Sequence, residues 1–140
     1  MPLLTYTQLG QLAANGQRQD ERVLDFVPVV RIVGPGVVGL LTTLAPDGDT
    51  LEGLLDWGDG LVAIGPVSLE ALQASARRDD AWQGTAPCIA YSVASQARGR
   101  LVDRVAWEGP APDDGALPFA AVWSTILRRH EPMSDRAEGG

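Results

Sequence analysis

The fold is decided by Val37-Val38-Gly39-Leu40-Leu41-Thr42-Thr43-Leu44, then Ala45-Pro46-Asp47-Gly48-Asp49-Thr50, then Leu51-Glu52-Gly53-Leu54-Leu55-Asp56-Trp57. The outer runs are rich in aliphatic and β-branched residues, which suit a pleated, half-buried strand. The middle run has the proline, aspartate and glycine chemistry of a chain reversal. Strands over 37–44 and 51–57, antiparallel to each other, follow. Upstream, Phe26-Val27-Pro28-Val29-Val30-Arg31-Ile32-Val33 predicts another strand, joined through Gly34-Pro35-Gly36. Downstream, Gly58-Asp59-Gly60 breaks the third strand and Leu61–Ile64 predicts a short fourth. The result is a meander, a mainly antiparallel sheet within residues 26–64.

Helical patterns flank it. Thr5 and Gln8 have capping-box spacing ahead of Leu9 and Leu12, with Asn15-Gly16 as a C-cap, which predicts a helix over 5–15. Ser68 precedes Leu69 and Leu72 as an N-cap, for a helix over 68–77 that ends at the mixed-charge run Arg77-Arg78-Asp79-Asp80. After Pro87, Ile89, Val93 and Ala97 share a face and Gly99 can close the helix, over 88–98. Leu101–Trp107 reads as an edge strand or a linker. Pro118 suits a first helical turn, and Phe119, Val122, Trp123, Ile126 and Leu127 form an apolar stripe, for a helix over 117–129. The expected class is α+β: a small antiparallel sheet flanked by about four helices in a single domain. Its expected division is an α+β unit over 1–107, a Pro- and Asp-bearing linker over 108–116, the amphipathic helix over 117–130 and a disordered tail over 131–140.

Composition narrows the function. One cysteine, Cys88, and one histidine, His130, exclude an internal disulfide and a thiolate-rich metal site, and leave no basis for histidine-centred catalysis. All eleven basic residues are arginine, so a lysine Schiff base and a P-loop lysine are excluded. No apolar stretch is long enough for a membrane helix, and Met1–Leu12 has no basic region ahead of an apolar one, so a cytoplasmic protein without membrane contact is expected. Net charge is −7. It is unevenly placed: between Arg31 and Arg77 there is no base, while Asp47, Asp49, Glu52, Asp56, Asp59 and Glu70 are acidic. Such a segment repels phosphate backbones and attracts basic surfaces, so direct nucleic-acid binding is not expected.

From the first helix onward the sequence resembles an uncharacterised bacterial family, domain of unknown function 2958. The resemblance rests on Leu3-Leu4-Thr5 with Asn15-Gly16, on Pro28-Val29-Val30-Arg31-Ile32, and on Leu41-Thr42-Thr43-Leu44 leading through Asp47-Gly48-Asp49. The most specific piece is Gly53-Leu54-Leu55-Asp56-Trp57-Gly58-Asp59-Gly60, followed by Gly65 and Val67-Ser68-Leu69-Glu70-Ala71-Leu72. A weaker match runs through Tyr91, Ala94 and Arg98-Gly99-Arg100-Leu101-Val102, so coverage is roughly 3–103. The resemblance implies a setting on plasmids and other mobile elements; no activity is established for the family, so it implies context more than mechanism. Where the family usually reads Pro-Glu-Leu-Gly, this chain reads Val62-Ala63-Ile64-Gly65, so any chemistry of that glutamate is absent here. The stretch after Asp103 adds to the family's usual length.

Gly34-Pro35-Gly36-Val37-Val38-Gly39 spells a dinucleotide fingerprint, but the fingerprint needs a helix to open within it, and Val37–Leu44 is strand-like. A hairpin is expected. Cys88 lies near a helix start, where a dipole lowers a thiol pKa; with no histidine nearby it reads as a small buried residue. Trp57 and Trp107 read as core. The helix bearing Trp123 either docks on its own sheet or presents its stripe to a partner. No cofactor, metal or catalytic constellation is expected. The function expected from these observations is a non-enzymatic acidic interaction protein of a mobile element, binding a basic protein surface, as a nucleic-acid mimic or inhibitor. Its partner-binding residues would be Asp47, Asp49, Glu52, Asp56, Asp59 and Trp123. The alternative is a small hydrolase or ligand-binding protein with a carboxylate pocket near Asp56, and the third option is assembly through the C-terminal helix.

Overall fold

A computed structural model describes residues 2–18 and 24–129. Helix α1 (Tyr6–Arg18) is followed by strands β1 (Leu24–Phe26), β2 (Val30–Gly34), β3 (Val37–Leu44), β4 (Thr50–Asp56) and β5 (Val62–Ser68). Then come α2 (Leu69–Ser75), β6 (Arg77–Arg78), α3 (Cys88–Arg98), β7 (Ala116–Pro118) and α4 (Phe119–Arg129). The main sheet is antiparallel in the order β5-β4-β3-β2-β6, and β1 pairs with β7 in a separate two-stranded ribbon. The chain is an α+β protein with four helices among the described residues.

Strand alternation divides the core. Leu41, Leu51, Leu55, Val30 and Ile32 point to one face and pack with Leu12 of α1 and Leu72 of α2. Leu40, Leu54 and Val62 point to the other and pack with Cys88 and Tyr91 of α3. Gly34-Pro35-Gly36 makes the β2–β3 hairpin, with Gly36 at φ 80°, so the fingerprint-like spelling opens a strand and not a helix.

Several boundaries differ from the sequence reading, each for a physical reason. The predicted strand over 26–33 is split by Pro28 into β1 and β2, which belong to different sheets. Asn15-Gly16 does not end α1. Asn15 is buried and donates from Nδ2 to the Thr42 carbonyl at 2.9 Å, at the point where a bulge shifts the β3–β4 register. Gly16 lies so close to Leu44 that an added Cβ would sit 2.1 Å from its carbonyl oxygen. Both residues dock the helix on β3. Pro118 ends β7, where Leu24 pairs with it, and α4 starts one residue later. Residues 101–107 form no strand: Leu101 N–H is held by Asp56, Val102 N–H by the Ser95 hydroxyl, and the Asp103 carbonyl accepts from Trp82 Nε1.

The sequence's caps are in place. Thr5 Oγ1 accepts from Gln8 N–H and Gln8 Oε1 from Thr5 N–H, Ser68 Oγ accepts from Ala71 N–H, and Gly99 closes α3 in the left-handed region. Trp107 packs on the α3-side core, but Trp57 is half exposed beside the β4–β5 turn, against its expected core role. The tail over 131–140 lies outside the described residues. No helix among the described residues is long and apolar enough to cross a membrane.

Candidate functional site

The acids of the middle segment are drawn into turns and not into one surface. Asp47 accepts from Asp49 N–H, Thr50 N–H and Thr50 Oγ1, which stabilises the ionised form and lowers its pKa. Asp49 accepts from the Ser68 hydroxyl and Glu70 N–H, tying the β3–β4 turn to the start of α2. At the other end of β4, Asp56 holds Gly58 N–H and Leu101 N–H, and Asp59 holds Leu61 N–H. Seven residues at about 3.4 Å each put roughly 24 Å between Asp49 and Asp56. Trp123 lies on α4, 43% exposed.

Glu52 is the exception. It lies on the α3 side of β4 and lines an open cleft of about 700 Å³ together with Asp25, Cys88, Thr43, Ile64 and Phe119. Asp56, on the same face of the strand, does not line it. The two acids that line one cavity are therefore Asp25 and Glu52.

Asp25 reaches the cleft because Pro28 detaches β1 from the main sheet and β7 pairs with it, which sets Asp25 opposite Leu117 under the first turn of α3. That helix begins after Pro87, which offers no side-chain acceptor, so its first N–H groups need a partner from elsewhere. Asp25 supplies it: Oδ2 accepts from Ile89 N–H at 2.9 Å. Two effects oppose each other on this carboxyl. Burial penalises the charged form, while bonds from the Ile89 and Phe26 amides favour it; burial wins, and the pKa rises to about 7. Asp25 is 5% exposed.

Cys88 shares the site. Its buried thiol is pushed up by desolvation first and then by the negative potential of Asp25 and Glu52, which favours the protonated form. The walls are apolar, from Leu24, Phe26, Ile64, Ile89 and Phe119, and the described lining residues include two acids and no base. A second groove, of about 690 Å³, runs between α3, α4 and residues 102–108, with Arg98, Arg104 and Arg128 on its rim. Among the described residues, no three His, Cys, Asp or Glu side chains are placed to hold a metal ion.

The sequence reading starts its first strand at Phe26 and so leaves Asp25 out. Its signal was local: an acid between Leu24 and Phe26, with Val23 and Val27 outside them, is a charge inside an apolar run.

No curated protein and no solved structure matches the chain. A family model does, over residues 3–102, the segment that carries the sheet, α1, α2, α3 and the Asp25–Glu52–Cys88 side of the cleft. Its description is "Protein of unknown function (DUF2958)", and the chain belongs to that family.

Proposed function

We propose that the chain is a ligand-binding protein whose site is the Asp25–Glu52 cleft, and that the ligand is a compact organic cation, an amine or amidine on an apolar body. The observation that carries this is the arrangement of the cleft: a buried carboxyl and a second acid at its lining, with apolar side chains around them. A cation beside Asp25 favours its ionised form, so binding releases a proton and tightens as pH rises through about 7. The test is a thermal-shift and calorimetric titration with benzamidine, tyramine and agmatine at pH 6 and pH 8. A saturable stabilisation that is larger at pH 8 and is weakened at least about tenfold by Asp25→Asn supports the proposal. No stabilisation by any of the three, or equal binding by the variant, removes it.

A protein-binding role is favoured by a different observation. The ion pairs among the described residues join Arg31 to Asp79 and Asp103 and Arg78 to Asp80, and none among the described residues joins a guanidinium to Asp47, Asp49, Asp56 or Asp59. As the product of a mobile element, the chain would use these two acidic ends, with Trp123 on α4, to engage a basic protein surface. Capture of such a partner should fade steeply between low and high salt; capture that ignores ionic strength counts against it.

A further inference from the structure

Strand β5 ends the main sheet, with β4 on one side of it and, among the described residues, no strand on the other. Its seven residues, Val62-Ala63-Ile64-Gly65-Pro66-Val67-Ser68, carry no charge, although charged side chains are a common way to blunt an exposed edge. Ile64 is 46% exposed.

The direction of each backbone group on this edge follows from neighbouring bonds. Leu69 N–H donates to the Asp49 carbonyl, and Ala45 N–H donates to the Thr50 carbonyl. Odd-numbered residues of β4 therefore bond toward β5 and even-numbered ones toward β3. Across the β4–β5 register, Ala63, Gly65 and Val67 bond inward, while Val62, Ile64 and Pro66 turn their backbone groups away from the sheet. Two facts agree: Pro66, which has no N–H, faces Glu52, whose backbone bonds toward β3, and the Val62 carbonyl accepts from Gln96 Nε2 of α3 at 3.4 Å.

This pattern is complementary to itself. A second copy placed antiparallel, with the twofold axis at Ile64, exchanges both Ile64 N–H···O=C bonds with its own Ile64. On either side, Val62 N–H meets the Pro66 carbonyl of the other copy. The one donor missing from the ladder, at Pro66, falls opposite the one carbonyl already satisfied, that of Val62. On the other face of the ribbon Ala63 comes opposite Gly65, where a Cβ would meet nothing within 4 Å in the single chain. We infer that the chain forms a twofold homodimer by pairing β5 with β5, joining two five-stranded sheets into one. The inference does not depend on what the cleft binds, although Ile64 also walls the cleft.

The test is sedimentation equilibrium over a wide concentration range, with amide hydrogen exchange on the same samples. Ile64→Pro removes the central donor and no bond to β4, so it should raise the dissociation constant by about 30-fold or more, with fold retained by circular dichroism. Ile64→Lys sets two like charges opposite each other and should also favour the monomer. In the unmodified chain, protection of the Ile64 and Val62 amides should grow with concentration. A monomer at every concentration, an Ile64 amide that exchanges freely whatever the concentration, or a dimer that both variants leave unchanged, overturns the inference.

Discussion

The carboxylate of Asp25 accepts the backbone N–H of Ile89 at 2.9 Å, across 64 residues of chain. It fills the cap of a helix whose own N-cap residue, Pro87, has none to offer. The same contact buries an acid, and the cost appears as pH dependence. The folded-state pKa, about 7, exceeds that of an unfolded aspartate, so the native state binds the extra proton between about pH 4 and 7 and stability declines as pH rises through that window. Asp25→Asn keeps an acceptor for Ile89 and cannot ionise. Denaturant melts should show the variant more stable than the parent by about 2–4 kcal/mol at pH 8, with the difference gone or reversed at pH 4.5.

Two glycines of α1 respond in opposite directions to alanine. Gly10 is exposed and a Cβ there meets nothing within 4 Å, so Gly10→Ala should stabilise by about 0.5–1 kcal/mol through helix propensity alone. At Gly16 the same atom would lie 2.1 Å from the Leu44 carbonyl oxygen, and the helix must lift off β3. A loss of about 1–3 kcal/mol is expected for Gly16→Ala, read from the midpoint of urea unfolding.

The face of α4 that touches the protein is narrower than its apolar stripe. Val122 and Thr125 are buried and Ile126 partly so, while Trp123 and Leu127 lie on the exposed flank. Val122→Ala should cost about 2 kcal/mol, and Leu127→Gln should fall within about 0.5 kcal/mol of the parent in the same melts.

Asp56 and Asp59, at the same end of β4, have separable roles. Asp56 joins the β4–β5 turn to the start of the 101–107 segment through Gly58 and Leu101, so Asp56→Ala should cost about 1–3 kcal/mol. Asp59 holds only the next turn amide, and Asp59→Ala should stay within about 0.5 kcal/mol. Comparable losses for both would show that the Leu101 contact contributes little.

Local chemistry was legible in the sequence where a residue and its partner are close in the chain. The Thr5–Gln8 box, the Ser68 cap, the Gly34-Pro35-Gly36 hairpin and the β3–β4 meander are all of this kind. What escaped depends on distant partners. Asn15-Gly16 has the composition of a helix stop, and only the bulge at Thr42 and the approach of Leu44 show why the helix runs on. β1 reads as part of the next strand until β7, about ninety residues away by its register, claims it. The acidic segment was visible as charge, yet turn amides scattered its members, and Asp25 entered the site through pairings that no spacing announces.

The ribbon of β1 and β7 also sets a limit on how this protein can be cut. Residues 3–102 match the family, but the backbone partner of Leu24, Asp25 and Phe26 comes from Ala116–Pro118, and Phe119 walls the cleft from the same late stretch. An expression fragment trimmed to the homologous segment would leave one strand edge bare and the cavity open on one side. The border drawn by kinship and the border drawn by packing fall at different places along this polypeptide.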